Sequence, residues 1–278
     1  MSQTFYLKYR PQTFADLDSV SSREELINVF SSKNIPHAFL FTGTKGIGKT
    51  SAARIVAKAV NCFGKNQKSK IKDQNENGKI VEYEPCNECD ACVSITAGNN
   101  VDVMEIDAAS FTGVDDIRDL REKIKLAPAG LKYKVFIIDE VHRLSGSAFD
   151  ALLKTLEEPP KHVIFILCTT DPEKLPKTII SRCQRINFKK ATKKEIVERL
   201  KKNCQAEGLE FEEEALGQIV KLSEGSFRDA VKFLEQVSFS GKISLAEVQK
   251  IAGISGEYKS EDFLKLLIEG QPKILCFG

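Results

Sequence analysis

Ala38-Phe39-Leu40-Phe41-Thr42 runs directly into Gly43-Thr44-Lys45-Gly46-Ile47-Gly48-Lys49-Thr50, and Ser51-Ala52-Ala53-Arg54-Ile55-Val56-Ala57 follows. An apolar strand, a glycine-rich turn and a helix-forming run in that order place the turn at a helix N-terminus. The turn has glycine at its first and sixth places, then lysine, then a hydroxyl, the pattern of a phosphate cradle. Gly43 and Gly48 let the backbone turn tightly enough for its N–H groups to face phosphate oxygens. Lys49 reaches the outer phosphates, Thr50 holds magnesium, and the helix N-terminus adds favourable partial charge. Gly43, Thr44, Lys45, Gly46, Ile47, Gly48, Lys49, Thr50 and Ser51 are therefore the candidate nucleotide-binding run, with ATP and Mg2+ as cofactors.

The α/β rhythm continues downstream. Val101–Ile106, Val135–Ile138 and Val163–Leu167 read as strands, separated by helical stretches at 113–125 and 146–156. Short, continuously apolar strands of this kind are covered on both faces. With helical crossovers they predict an α/β fold built on a mostly parallel sheet, whose ligands sit beyond the carboxyl ends of its strands. Upstream, Ser22-Arg23-Glu24-Glu25 before Leu26, Ile27, Val29 and Phe30 predicts a capped helix. Near residue 185 the pattern becomes helical, at 192–205, 212–223 and 226–237. The division that follows is a nucleotide-binding body at 1–182, a small all-helical domain at 183–240, and the start of a truncated helical domain at 241–278.

Asp139-Glu140 end the strand Val135–Ile138 and so emerge beside the phosphate loop. Asp139 completes the magnesium shell, and Glu140 polarises the attacking water, as phosphoryl transfer requires. Thr169-Thr170-Asp171 end the next strand, where a hydroxyl can bind the attacking water or the terminal phosphate; a plain helix cap before Pro172 is the alternative. Arg182 stands at the change of character, placed to reach a neighbour's nucleotide. Arg228, after Gly225-Ser226-Phe227, is placed to fold back onto the phosphates. For both, an ordinary surface arginine is the alternative.

Cys86, Cys89 and Cys92 fall within seven residues, and Cys62 ends the helix of the phosphate loop. Four thiolates make a closed structural zinc site. An iron–sulfur cluster or unligated core cysteines remain the other readings. Cys168, Cys183, Cys204 and Cys276 read as buried small residues. The stretch 62–92 is polar and breaks the periodicity, as an insertion does. Its Lys65, Lys68, Lys70 and Lys72 are diluted by Asp73 and Glu76.

The chain of 278 residues carries a net charge of +2, so composition alone does not demand a nucleic-acid partner. No apolar run approaches the ~18 residues of a membrane span, and residues 1–20 lack the order of a secretory signal. A cytoplasmic protein with no membrane partner is expected.

Taken together these residues resemble the gamma/tau subunits of bacterial DNA polymerase III, AAA+ ATPases of the sliding-clamp loader. The resemblance rests on Lys8-Tyr9-Arg10-Pro11 with Phe14, His37-Ala38-Phe39-Leu40-Phe41, the phosphate loop, the four cysteines and Asp107-Ala108-Ala109-Ser110. It continues through Asp139-Glu140-Val141-His142, Leu156-Glu157-Glu158-Pro159-Pro160, Thr169-Thr170-Asp171-Pro172, Ser181-Arg182-Cys183 and Gly225-Ser226-Phe227-Arg228-Asp229. It covers residues 5–240, with a weaker continuation to 278.

The resemblance implies an AAA+ ATPase domain with a zinc module at 62–92 and a helical lid. It implies an ATP-driven motor that opens the clamp and loads it onto primer–template DNA as part of the DNA polymerase III holoenzyme, a DNA-directed DNA polymerase. Partners would be delta-type and delta-prime-type subunits, further copies of the chain, and the clamp. Tyr9, Arg10 and Pro11 would surround the adenine. Thr170 would be the first sensor, Arg182 the finger acting in trans, and Arg228 the second sensor acting in cis. The cysteine set would be a Zn2+ module with Cys62 as its fourth ligand. Two departures stand out: the 23 residues between Cys62 and Cys86, and the fewer than 40 residues after the lid, short of a full collar domain. The alternatives weighed are a nucleotide-gated interaction subunit with negligible hydrolysis on its own, an inactive loader subunit, and another AAA+ DNA-remodelling ATPase. Arg118 and Arg121 are candidate DNA contacts, with plain surface solvation as the other reading.

Overall fold

The computed structural model describes residues 4–32, 34–64, 69–72, 78–81, 84–110, 114–239 and 241–253. Lys65, Lys68, Asp73, Glu76 and Cys276, singled out above, lie outside these. Seven strands are present among the described residues: β1 Ala38–Thr42, β2 Ser69–Lys72, β3 Gly78–Val81, β4 Val103–Asp107, β5 Lys134–Asp139, β6 Val163–Thr169 and β7 Gln184–Asn187. The helices are α1 Phe5–Lys8, α2 Val20–Phe30, α3 Lys49–Asn61, α4 Asp90–Ala97, α5 Val114–Lys125, α6 Gly146–Glu157, α7 Lys177–Ile180, α8 Lys193–Glu207, α9 Glu213–Leu222, α10 Phe227–Ser238 and α11 Leu245–Ile251.

Five strands form one parallel sheet in the order β4-β5-β6-β1-β7. Every residue of β1 and β6 is buried, as is all of β5 except Asp139. Successive side chains alternate between faces, so each strand feeds two cores. Phe39, Phe41, Ile137 and Ile166 pack beneath α2 and α3. Leu40, Phe136, Ile138, Phe165 and Leu167 pack against Leu120, Ala148 and Leu152 on the other face. Each such side chain, fully buried, contributes about 1.5–3 kcal/mol. The register aligns the strand ends: Thr42 lies opposite both Thr169 and Asn187, and Asp107 opposite Asp139. Asp139 and Thr169 therefore leave the sheet at the same end as Thr42, which leads into the phosphate loop.

One expectation needs correction. The helix expected from Ser22 begins at Val20. Ser22 lies inside it, fully buried, with its hydroxyl 3.0 Å from that of Ser19. Beyond residue 182, β7 pairs with β1 and belongs to the sheet. Only Ile186 of its four residues is buried, so an edge strand of this composition carries no apolar run to read. Ile243 and Val248 are buried with Ile196, Leu200, Leu216, Ile219 and Leu234 in a third core. The insertion also contains something the polar sequence hid, the antiparallel pair β2–β3.

Helix starts in this layer follow local chemistry. The Thr192 hydroxyl accepts from the Glu195 N–H at 3.2 Å while the Glu195 carboxylate accepts from the Thr192 N–H at 2.7 Å, a reciprocal box opening α8. Ser226 caps α10 by accepting from the Asp229 N–H.

Candidate nucleotide site and cysteine centre

The turn between β1 and α3 opens into a cavity of about 380 Å³. Its phosphate side is formed by Lys45, Gly46, Ile47, Gly48, Lys49, Thr50 and Ser51, with Asp139 and Glu140 opposite. Gly43 is obligatory for reasons of space as well as backbone. A Cβ there would lie 2.2 Å from the Phe188 carbonyl oxygen, where the chain leaves β7.

Two side chains of the turn have fixed partners. The Thr50 hydroxyl donates to Asp139 Oδ2 at 2.9 Å, which brings the two magnesium-shell candidates together. The Lys49 ammonium donates to the Gly43 and Thr44 carbonyl oxygens at 2.7 and 2.9 Å. Burial lowers its pKa, opposed in part by Cys168, Glu140 and Asp139. An arriving phosphate offers that ammonium charged acceptors in place of neutral carbonyls. Arg10 also lines the cavity, and burial, reinforced by the neighbouring Arg54 guanidinium, lowers its pKa. These cations favour an anionic occupant.

Glu140 has φ 49°, a left-handed conformation that costs a non-glycine residue about 1–2 kcal/mol. The strain turns its carboxylate toward the end of β6. Glu140 Oε2 accepts from the Thr170 hydroxyl at 3.0 Å and the Thr170 N–H at 3.3 Å. His142 stands behind it, its Nδ1 2.9 Å from the Thr169 hydroxyl and 3.4 Å from Glu140 Oε2. The short helix Pro172–Lys174 has Asp171 at its N-cap with no side-chain cap, and the Asp171 N–H donates to the Thr169 hydroxyl at 3.0 Å.

Arg228 lines the cavity, and its N–H donates to the Gly46 carbonyl oxygen at 3.1 Å, so α10 rests on the phosphate loop. Arg182 lies elsewhere: its guanidinium meets Glu157 at 2.8 Å and lines no part of this cavity. Arg10 and Pro11 line the cavity as expected, but Tyr9 does not. Its hydroxyl donates to Glu207 Oε1 at 2.6 Å, beside the Lys8–Glu207 ion pair at 2.8 Å. Tyr6 of α1 lines the wall instead. Arg143, Asp18 and Arg199 also line the cavity and were missed by sequence reading. Only the lid's docking onto the arm brings Arg199 there, 3.2 Å from Asp18. Arg118 and Arg121 are exposed, and Arg118 is 3.8 Å from Glu122 on the same helix.

The sulfurs of Cys62, Cys86, Cys89 and Cys92 all lie within 4.8 Å of one another. That spacing fits a tetrahedral ion with bonds of about 2.3 Å. Backbone N–H groups of Gly64 and Cys86 point at the Cys62 sulfur at 3.4 Å. Those of Glu88 and Cys89 point at the Cys86 sulfur at 3.5 and 3.4 Å. Burial opposes ionisation of Cys86, but these backbone donors bring its pKa down to about 7. Such donors favour thiolates, the ligand form, while burial holds the Cys62 and Cys92 thiols above their ordinary value. Gly64, unmarked in the sequence reading, packs so close that a Cβ would lie 2.9 Å from the Cys86 sulfur.

Two family models match the chain. Residues 20–192 match the DNA polymerase III delta subunit, and residues 195–242 match the ATPase lid domain of the DNA polymerase III clamp loader subunit. The DNA polymerase III subunit gamma of Buchnera aphidicola subsp. Schizaphis graminum is 40% identical over 97% of this chain and 71% of its own length. This chain belongs to the gamma/tau family of DNA polymerase III clamp-loader subunits. DNA polymerase III subunit tau of Bacillus subtilis is 51% identical over 88% of the chain and 41% of its own length, and subunit tau of Escherichia coli 41% over 96% and 40%. The chain thus spans about two fifths of these longer relatives. The Thermotoga maritima RuvB Holliday junction branch migration motor shares the fold, with a TM-score of 0.61 at 19% identity over 94% of this chain and 80% of that one. The gamma/tau chain described here is accordingly an AAA+ ATPase fold with a helical lid. Among its described residues no helix is long and apolar enough to cross a membrane.

Proposed function

We propose that the chain is the ATP-hydrolysing motor of a clamp loader, opening a sliding clamp and placing it on primer–template DNA at the expense of ATP. The observation that carries this is the convergence in one cavity of Lys49, the Thr50–Asp139 pair and Glu140, with Thr170 bonded to Glu140 from the end of β6. Phosphoryl transfer depends on positioning and charge neutralisation, and this arrangement offers both. Lys49 and the loop N–H groups hold the phosphates, Thr50 and Asp139 hold Mg2+, and Glu140 orients water. Thr170 fixes Glu140, and Arg228 approaches the phosphates from the lid. Arg10 and Pro11 wall the base, with Tyr6 in the place expected of Tyr9. Cys62, Cys86, Cys89 and Cys92 hold Zn2+, which would supply a structural cross-link and no chemistry at the phosphates.

The proposed division is a body to about residue 188 and a lid over 193–251, supported by the separate cores. Delta-type and delta-prime-type subunits, further copies of this chain, the clamp and DNA are the proposed partners, in the cytoplasm. Arg182 lines no part of its own chain's cavity, which supports its use on a neighbour's nucleotide. The same observation favours a second reading, in which hydrolysis is negligible until a neighbour completes the site.

Titration calorimetry with ATP, with and without magnesium, tests the core of the proposal. Binding should require magnesium, vanish in Lys49→Ala and survive in Glu140→Gln. Hydrolysis should be lost in both variants. ATP affinity unaffected by Lys49→Ala would overturn the reading. Measuring turnover with and without partner subunits, clamp and primed DNA separates the motor from the nucleotide-gated subunit.

A further inference from the structure

Lys58 is a charged residue with no part in the chemistry above, and it is 1% exposed. It sits on α3, the helix that begins at the phosphate loop and ends beside Cys62. Its ammonium donates to two neutral amide oxygens at 2.7 Å, Oε1 of Gln12 and Oδ1 of Asn87. Burying an ammonium against uncharged acceptors is costly, and a methionine would fill the same volume without that cost. What the ammonium does is join three pieces of chain: α3, the N-terminal arm and the loop between Cys86 and Cys89.

Asn87 lies between the cysteine ligands Cys86 and Cys89 and has φ 59°, which aims its side chain inward. Gln12 belongs to the N-terminal arm. Its Nε2 donates to the Arg10 carbonyl oxygen at 3.0 Å, and its Oε1 also accepts from the Thr96 hydroxyl of α4 at 3.3 Å. Arg10 and Pro11 are the cavity wall. A second link runs in parallel: Glu84, two residues before Cys86, accepts from the Ala15 N–H at 3.2 Å. The arm is thus fastened to the cysteine module at Gln12 and Ala15, while its wall residues face the cavity.

We propose that Lys58 is a positioning residue for nucleotide binding, tying the Arg10–Pro11 wall to the metal-holding module so that an ordered module presents a preformed surface to the nucleoside. This rests on the nucleotide reading above. A wall ordered in advance removes an ordering cost from binding. The module then acts on the nucleoside half of the ligand and leaves the phosphate half alone.

Lys58→Met and, from the arm side, Gln12→Ala separate this from a general structural role. Affinities are measured for magnesium ATP and for magnesium tripolyphosphate, which lacks the nucleoside. Loss of one or two such hydrogen bonds should weaken ATP roughly three- to tenfold and leave tripolyphosphate unchanged. Hydrogen exchange should quicken at the amides of Arg10–Asp16 and stay the same at Ile47–Ser51. Removing metal from the wild-type chain with a chelator should quicken the same arm amides, and should add little in Lys58→Met. Equal losses for both ligands, or ATP affinity and arm exchange unchanged in both variants, would overturn the proposal. A wild-type chain that binds neither ligand would instead overturn the nucleotide reading, with the exchange comparison still deciding whether Lys58 holds the arm.

Discussion

The Thr170 hydroxyl donates to Glu140 Oε2 at 3.0 Å, spanning the ends of two neighbouring strands. A hydrogen bond to a charged group contributes about 1.5–3 kcal/mol, so the pair fixes a carboxylate whose own backbone is strained. If Thr170 orients Glu140 for the attacking water, Thr170→Val should lower kcat roughly ten- to a hundredfold and change KM little. Steady-state ATPase assays with partner subunits present would check this. A rise in KM at constant kcat would show instead that Thr170 serves binding alone.

Gly46 and Ser226 set how closely the lid approaches. A Cβ on Gly46 would stand 2.1 Å from the Ser226 hydroxyl oxygen, and the backbone has φ +79°. Ser226 cannot swing aside freely, because its oxygen caps α10, a contact worth about 1 kcal/mol. Gly46→Ala should therefore destabilise the chain by about 1–3 kcal/mol and break the Arg228 N–H to Gly46 oxygen contact. Adding Ser226→Gly should restore the steric part and leave the backbone strain. Thermal melts of the two single variants and the double variant measure the coupling.

Sequence showed the parts of this molecule that depend on runs and spacings. The strands β1, β5 and β6 are continuous apolar runs because both sheet faces are covered, and the phosphate loop and Asp139-Glu140 are fixed by their positions at strand ends. What escaped depends on tertiary contact. The edge strand β7 buries one side chain and has no pattern. Tyr6 replaces Tyr9 in the cavity wall because Tyr9 turns to Glu207 on the lid. Arg199 reaches Asp18 only once the lid is docked. Gly64 matters because the Cys86 sulfur lies against it, which no spacing rule records.

Gly64 also offers a test of the cysteine centre that leaves all four cysteines in place. A Cβ there would lie 2.8 Å from Cys86 Cβ and 2.9 Å from its sulfur, so Cys86 would have to shift. Gly64→Ala should weaken zinc binding roughly ten- to a hundredfold, the range seen when the surroundings of ligands are disturbed. Competition against a chromophoric chelator would read this directly. Unchanged zinc affinity would mean that these cysteines do not close around an ion.

Acid stability should depend on Asp102, which lies just before β4. Its side chain is buried, and its carboxylate accepts from the backbone N–H groups of Ala129, Gly130 and Leu131 at 2.8, 2.8 and 3.0 Å. Burial alone would raise its pKa, but the three backbone donors, with help from Lys134, outweigh burial and hold it below the ordinary value of 3.8. With the folded pKa below the unfolded one, the unfolded chain binds the extra proton first as pH falls. The stabilisation is therefore complete above the unfolded value of about 4 and drains away as pH drops through the folded value. Asp102→Asn keeps the shape but sets an amide against three donors, leaving at least one unsatisfied. It should cost about 2–3 kcal/mol at neutral pH by urea unfolding. The gap between variant and wild type should then narrow below about pH 4, because the wild-type carboxylate loses its charge there and the amide has none to lose. A gap independent of pH would locate the effect in packing and not in the charge held by the turn.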